Sequence, residues 1–378
     1  MSSRLIVNSI RHTGASGDAV TLANDGTCTA KITNNLSNRN IIVNGGCLVA
    51  QRGTSSTSSD YGSVDRMKMS VTNTDELAFA QKQTSDGPDG FSKCFEFDVT
   101  TAESTLAVDE LVYMRYLVEA QDLRPFYNAN GTGKNFTLSF YVKAAQTGTY
   151  SLGIHKADNT TRFITTTYTI SQADTWQRVV WNITGETGTS GINDDNGQGF
   201  QISFIFAAGT NFTSGGVQSS WGSFSNSLMA GGQAVNTLSS TDNYWRMTGL
   251  QLEVGSVATD FEHRSYGDEL RRCQRYFFGL NNVDSQIRAI GYGGGPNWAN
   301  ATFYFPVTMR AAPTGSGSNL GSLYFNNGAS AWSSSSLTFN TCTHSTNFGA
   351  NMSGSSQGQA LSIYTTGSTT KLNFDAEL

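Results

Sequence analysis

Charge is scarce in this chain. Asp, Glu, Lys and Arg make up only 14% of the 378 residues, and the net charge is −5 with a pI near 5.4. That balance speaks against a nucleic-acid binder, which carries a basic patch or stripe. Long apolar runs are missing too. Nothing reaches 18 consecutive apolar residues, the length a membrane-spanning helix needs, so no membrane insertion is expected. At the start, Leu5-Ile6-Val7 is too short for the apolar core of a signal peptide, so synthesis in the cytoplasm without standard export is expected. Cysteine is sparse and scattered: Cys28, Cys47, Cys94, Cys273 and Cys342 are odd in number and form no CxxC. Neither a disulfide framework nor a zinc site is expected, and the thiols read as reduced packing residues. HExxH and GxSxG are absent, and His12, His155, His263 and His344 are far apart. These absences point away from zinc-dependent and serine hydrolysis. No catalytic residue, metal or cofactor is predicted.

With a mean hydropathy of −0.30 and so little charge, polarity rests on Ser, Thr, Asn, Gln and 40 Gly. Such composition suits β-structure with many turns. The 22 Phe, 14 Tyr and 6 Trp are enough to build cores, which a disordered chain lacks.

Period-two alternation runs through most of the chain. Phe136-Thr-Leu-Ser-Phe-Tyr-Val-Lys is the clearest case, with Phe136, Leu138, Phe140 and Val142 on one face. The reading is all-β in four parts. Residues 1–40 form a β-rich attachment segment, with a hairpin turn at Asn24-Asp25-Gly26 between alternating strings. Residues 41–265 form a jelly-roll β-sandwich, beginning with an apolar strand at Ile41-Ile42-Val43 that breaks at Gly45-Gly46. Residues 266–279 hold a connector helix, with Asp268 and Glu269 in its first turn and Arg271, Arg272 and Arg275 later, the order the helix dipole favours. Leu270, Cys273 and Phe277 would form its apolar stripe. Residues 280–378 form a smaller β-sandwich-like domain. The polar stretch 207–241 is too long for an ordinary loop and reads as a functional surface loop or one held by a neighbouring subunit.

Several strings resemble a family of bacteriophage tail-fibre and receptor-binding virion proteins. They are Asn44-Gly-Gly-Cys-Leu-Val-Ala-Gln-Arg-Gly-Thr with Tyr61-Gly-Ser-Val-Asp-Arg, Thr137-Leu-Ser-Phe-Tyr-Val-Lys-Ala, Leu250-Gln-Leu-Glu-Val-Gly-Ser-Val-Ala-Thr-Asp-Phe-Glu-His-Arg to Cys273-Gln-Arg-Tyr, Phe305-Pro-Val-Thr-Met-Arg-Ala-Ala-Pro, and Asp375-Ala-Glu-Leu. An aromatic residue often follows the family's Asp-Arg pair; here it is Met67. The resemblance implies a non-enzymatic virion protein with a carbohydrate-binding-module-like jelly roll. It also implies a homotrimer, attachment to other tail or capsid proteins through the N-terminal segment, and contact with a host-surface glycan. A capsid-surface fibre or decoration protein is the alternative among structural proteins, and an envelope-glycan depolymerase the alternative among enzymes.

Rings that stack on sugars are the candidate recognition residues: Trp221 in the long loop, and Tyr292, Trp298 and Trp332 in the last domain. Glu253, Asp260, Glu262, His263 and Arg264 form the densest ionisable cluster. Glu253 and Glu262 are the pair a glycosidase would use; the plainer reading is that Glu262 and Arg264 lock a domain or subunit connector, together with Leu270, Cys273 and Phe277 near a threefold axis. Asn193-Asp-Asp-Asn-Gly-Gln-Gly has the oxygen ligands of a calcium loop but no flanking helices and no closing Glu, and reads as a polar turn. Ile290-Gly-Tyr-Gly-Gly-Gly has Gly-x-Gly spacing without a following helix, so it is not a nucleotide loop.

Overall fold

Strands with one apolar face must cover it with a second layer, and the chain does this twice. The computed structural model describes residues 7–14, 16–22, 24, 28–30, 38–158, 161–281, 288–334, 336–351, 354–365 and 370–378. Near the start, β1 (Ser9–Ile10), β2 (Val20–Leu22) and β3 (Cys28–Ala30) form a three-stranded antiparallel sheet. The expected Asp25-Gly26 turn lies outside the described residues.

The first sandwich uses β4 (Ser55–Ser56), β5 (Lys68–Thr72), β6 (Ala78–Thr84), β7 (Cys94–Thr101), β8 (Leu111–Glu119), β9 (Phe136–Ala144), β10 (Gly148–Lys156), β11 (Arg162–Ile170), β12 (Gln177–Ile183), β13 (Gln198–Ala208) and β14 (Tyr244–Val254). One sheet runs β11-β10-β13-β8-β5 and the other β12-β9-β14-β7-β6-β4. Phe136, Leu138, Phe140 and Val142 of β9 face inward and are buried, as their alternation predicts. Trp245 is fully buried beside Phe204 and Phe206, and its indole N–H donates to the Tyr168 hydroxyl at 3.0 Å. Burying each such ring contributes about 2–3 kcal/mol.

The apolar string Ile41-Ile42-Val43 is not a strand. Asn40 takes over the ladder: its Oδ1 accepts from the N–H groups of Ile42 and Leu252, and its Nδ2 donates to Leu250 O. The reason is a close approach. Gly45 lies against the Leu250 carbonyl, where a Cβ would stand 2.1 Å from the oxygen. This happens where β14 slips register between Thr248 and Gln251.

The stretch 209–241 is folded, not open. It contains α1 (Thr210–Thr213) and two 3-10 turns, buries Met229, Ala230, Val235 and Leu238, and bonds back to β11 through Phe163 and Thr165. α2 (Tyr266–Gln274) follows, capped by Ser265 Oγ accepting from the Asp268 N–H. It ends earlier than the sequence predicts. Tyr276 O accepts from the Ala376 N–H, and Phe277 and Phe278 enter a strand, because pairing with a distant strand satisfies their backbone better than another helical turn. The expected stripe therefore splits. Cys273 and Leu270 pack within the chain against Val43, Val49 and Tyr276, while Phe277 lies in β15.

The second sandwich uses β15 (Phe277–Asn281), β16 (Arg288–Gly295), β17 (Trp298–Tyr304), β18 (Thr314–Ser318), β19 (Leu323–Asn326), β20 (Ala331–Ser333), β21 (Leu337–Thr341), β22 (Ser345–Asn351), β23 (Ala360–Thr365) and β24 (Lys371–Asp375). A small sheet, β15-β24-β18, covers the inner face of a seven-stranded sheet, β20-β19-β23-β16-β17-β22-β21. Phe278 and Phe374 of the small sheet meet Phe303 and Phe339 of the large one at centroid distances of 5.6 and 5.7 Å. The fold is all-β, a jelly-roll sandwich and a second sandwich joined by one short helix.

Candidate functional site

Opposed residues in an antiparallel sheet share a face, so the register of the seven-stranded sheet fixes what it shows to solvent. On β16 and β17 the pairs Ile290–Thr302 and Tyr292–Asn300 face outward, followed along β17 by Trp298 and Tyr304. Ile290 is 83% exposed, Tyr304 75% and Tyr292 49%, values an apolar core would not tolerate. Trp298 is held flat. Its indole N–H donates to Asn300 Oδ1 at 2.8 Å, and its ring lies over Gly349 of β22, where a Cβ would come within 2.1 Å of a ring carbon. On the neighbouring strands Tyr324 and Tyr364 stack on the same face at 5.8 Å. By register Asn326 and Ser362 share this face beside the tyrosines, and Asn347 and Asn340 extend it beyond β17. From Trp298 to Tyr304 the row is roughly 20 Å long at strand spacing. Among the described side chains of this face none is charged. It is a broad platform of rings and amides, suited to stacking on sugar faces and bonding their hydroxyls.

Of the four predicted rings, Tyr292 and Trp298 therefore come together. Trp332 opposes Phe325 in register and packs into the inner core instead. Trp221 belongs to the first sandwich. Its indole N–H donates to Thr184 O at 2.9 Å, and with Trp181, Ile164 and Ser219 it lines a cleft of about 330 Å³ at the sandwich edge. The sequence reading passed over Ile290, Tyr304, Tyr324 and Tyr364. The alternation Trp298-Ala-Asn-Ala-Thr-Phe-Tyr304 did carry the signal, since Ala299, Ala301 and Phe303 form its apolar inner set and leave Trp298 and Tyr304 on the other face.

The ionisable cluster sits elsewhere, at the junction of the two sandwiches. Both Glu253 oxygens are engaged, Oε1 by Gln251 and the Thr259 N–H, Oε2 by the Thr259 hydroxyl. The Asp260 carbonyl accepts from Gln251. Glu262 accepts from the Asn40 N–H at 2.9 Å and pairs with Arg264 at 3.3 Å. Burial opposes its charge, but that N–H and Arg264 hold its carboxyl below the usual range. Arg264 also donates to Ile42 O at 2.9 Å and pairs with Glu269 at 3.0 Å. His263 packs at an angle against Phe91 and edge-on to Phe261 beside a cavity of about 230 Å³, whose charged lining, Glu262, Arg264 and Glu269, is already committed to these bonds.

The same junction holds a second charged knot. Arg66, 1% exposed, pairs with Glu377, stands 3.5 Å from the Tyr276 ring centre and donates to Leu117 O. Arg52 pairs with Asp375 at 2.8 Å and lies 3.7 Å from the Phe277 ring centre. Arg310 donates to Ala376 O and Glu377 O, and to Asn196 O in the Asn193–Gly199 turn. Arg275 grips Glu119 with two bonds of 2.9 and 2.8 Å. Burial favours the neutral form of Glu119, but Arg275 outweighs it and holds the carboxyl below the usual range.

No protein-family model matches the chain, and no curated protein matches it. Solved structures similar to it include the enzymatically active domain of tailspike protein 4 of bacteriophage CBA120, at 14% identity and a TM-score of 0.30. That alignment covers 57% of this chain and 21% of the tailspike chain. The family 11 carbohydrate-binding module of Clostridium thermocellum, in complex with a β-1,3-1,4-mixed-linked tetrasaccharide, aligns at 9% identity and a TM-score of 0.27, over 55% of this chain and 98% of the module. The CBM22-1 xylan-binding domain of Paenibacillus barcinonensis aligns at 10% identity and a TM-score of 0.26, over 56% and 96%.

Proposed function

We propose that this chain is a non-enzymatic surface protein of a bacteriophage particle, a tail fibre that binds a host-surface glycan through the outer face of its seven-stranded sheet. The observation that carries the reading is the platform of exposed rings and amides formed by Ile290, Tyr292, Trp298 and Tyr304 with Asn300. Exposed rings set among amides are costly to leave in water and match the two faces of a pyranose. The family-like strings supply the phage setting, and with it a homotrimer attached to other virion proteins through residues 1–40.

The non-enzymatic part rests on the carboxylates. Glu253 and Glu262 are held by structural donors at the junction, away from the platform. A depolymerase would need an acid and a base free to reach a glycosidic bond.

Binding of the purified chain to host envelope polysaccharide, measured by interferometry, is the test. Binding that Tyr304→Ala and Tyr292→Ala weaken, with no reducing ends released, supports the reading. Retained affinity in the double variant overturns the platform as the site, and released reducing ends overturn the binder. Mass photometry showing a stable monomer would sink the trimer, and if both changes disrupt the trimer without touching glycan binding, the platform is a subunit interface. Labelling on imaged particles separates tail from capsid surface.

A further inference from the structure

Three carboxylates outside these surfaces meet at one end of the first sandwich. Asp75 lies between β5 and β6; Glu103 and Glu110 lie at the two ends of the connection from β7 to β8. One oxygen of each is within 4.8 Å of the other two. Glu103 is 1% exposed and Glu110 3%, while Asp75 reaches solvent. Glu110 Oε2 accepts from the Ala107 N–H at 2.7 Å, but Glu103 Oε1 has only a long 3.4 Å contact with the Asp75 N–H. Glu103 Oε2 is buried and meets no donor at all. A buried carboxylate with one long hydrogen bond and one oxygen without a donor, facing two more carboxylates, is unfavourable unless a cation or a shared proton joins them.

We propose that Asp75, Glu103 and Glu110 bind a divalent, oxygen-seeking cation, with calcium as the fitting ion. The donor set is oxygen only, which disfavours zinc and other metals that prefer nitrogen or sulfur. Calcium accepts six to eight oxygens in irregular arrangements and takes the remainder from water or backbone, whereas magnesium demands near-ideal octahedra. The placement gives the ion a structural task. The loop between Glu103 and Glu110 anchors both ends of the excursion that carries Trp221. Gly209 N–H donates to Glu110 O and Asn211 N–H to Val108 O at one end; Glu103 N–H donates to Leu238 O and Asn236 Nδ2 to Glu103 O at the other. A cation there ties the base of the excursion to the β5–β6 loop.

The test is thermal unfolding and titration calorimetry of the full chain after chelator dialysis, with calcium chloride or magnesium chloride added back. Calcium at about 100-fold over its dissociation constant should raise the midpoint by roughly 5–10 °C, with magnesium giving less. Asp75→Asn changes an exposed side chain and should leave the chelated protein folded while removing the calcium response. Glu103→Gln should also remove it. No midpoint shift and no heat in the wild-type chain at millimolar calcium would overturn the site. So would a calcium response that survives both substitutions, since the ion would then bind elsewhere. A Glu103→Gln variant that is stabilised in chelator, beside a wild type indifferent to calcium, would show a shared proton in place of the ion and equally end the proposal.

Discussion

The junction and the platform are opposite solutions within one chain. At the junction, charge is buried, paired and bonded to backbone: Arg66 with Glu377, Arg264 with Glu262 and Glu269, Arg275 with Glu119. On the platform no described side chain is charged, and the rings of Tyr292 and Tyr304 are left in solvent. Apart from Thr137 to Ala144, which lies in β9, the strings that resemble phage fibres converge on the junction. Asn44 to Arg66, Leu250 to Tyr276, Arg310 and Asp375 to Leu378 all touch there, although they are hundreds of residues apart in sequence. The wording that suggests a family is thus the wording of a joint, and the surface that would meet a ligand has no such string.

The sharpest way to break the comparison is to remove one arm of the joint. Arg66→Met leaves the buried Glu377 with Arg52 alone, at 3.3 Å, and should cost about 3 kcal/mol in denaturant unfolding, the low end for breaking a buried pair, with glycan affinity per folded molecule unchanged. Glu119→Gln should cost roughly 2–3 kcal/mol, less than a fully buried pair because Arg275 is 31% exposed. This loss has a pH signature. The folded carboxyl titrates below its unfolded value, so its contribution is full above about pH 4.5 and fades as pH falls through the folded value. The gap between Glu119→Gln and the wild type should close on acidification; a constant gap would show that Arg275 contributes shape and not charge.

Smaller effects belong to the platform. Gly349→Ala puts a methyl group where the Trp298 ring lies, and should cost about 1–3 kcal/mol while lifting the indole off the sheet. Melting and glycan affinity should fall together. Tyr304→Ala should change stability by no more than about 0.5 kcal/mol, as at other exposed sites, yet weaken glycan binding roughly tenfold if the ring is an anchor. A Tyr304→Ala chain that unfolds markedly earlier would place that ring in a core or an interface and erase the contrast.

The sequence disclosed the two regions unequally. The first sandwich was legible because Phe136, Leu138, Phe140 and Val142 alternate cleanly and fill one interior. Ile41-Ile42-Val43 misled because its N–H groups are satisfied one at a time, by Leu252 O, Asn40 Oδ1 and the Tyr116 hydroxyl, and two of these partners are far away in sequence, which no local pattern reveals. Phe277 misled because a helical spacing and a strand both suit it, and only the distant β24 decides. In the second sandwich, β18 (Thr314-Gly-Ser-Gly-Ser318) and β22 carry little apolar alternation, so composition hid them. Tyr292 and Trp298 were marked as rings, but their shared face depends on register across three strands, and Trp332 could not be told from them until β20 was paired with β19.

The Arg66–Glu377 contact has one further consequence, in time and not in energy. It closes a loop of 311 residues. Such long-range contacts form late, after the two sandwiches have each collapsed around nearer neighbours. Interactions absent from the folding transition state act almost wholly on the unfolding rate. The joint should therefore do little to hasten folding and much to set how long the finished molecule survives, so that the whole of what Arg66 and Glu377 add to stability should appear as a slower unfolding rate and a longer half-life at elevated temperature.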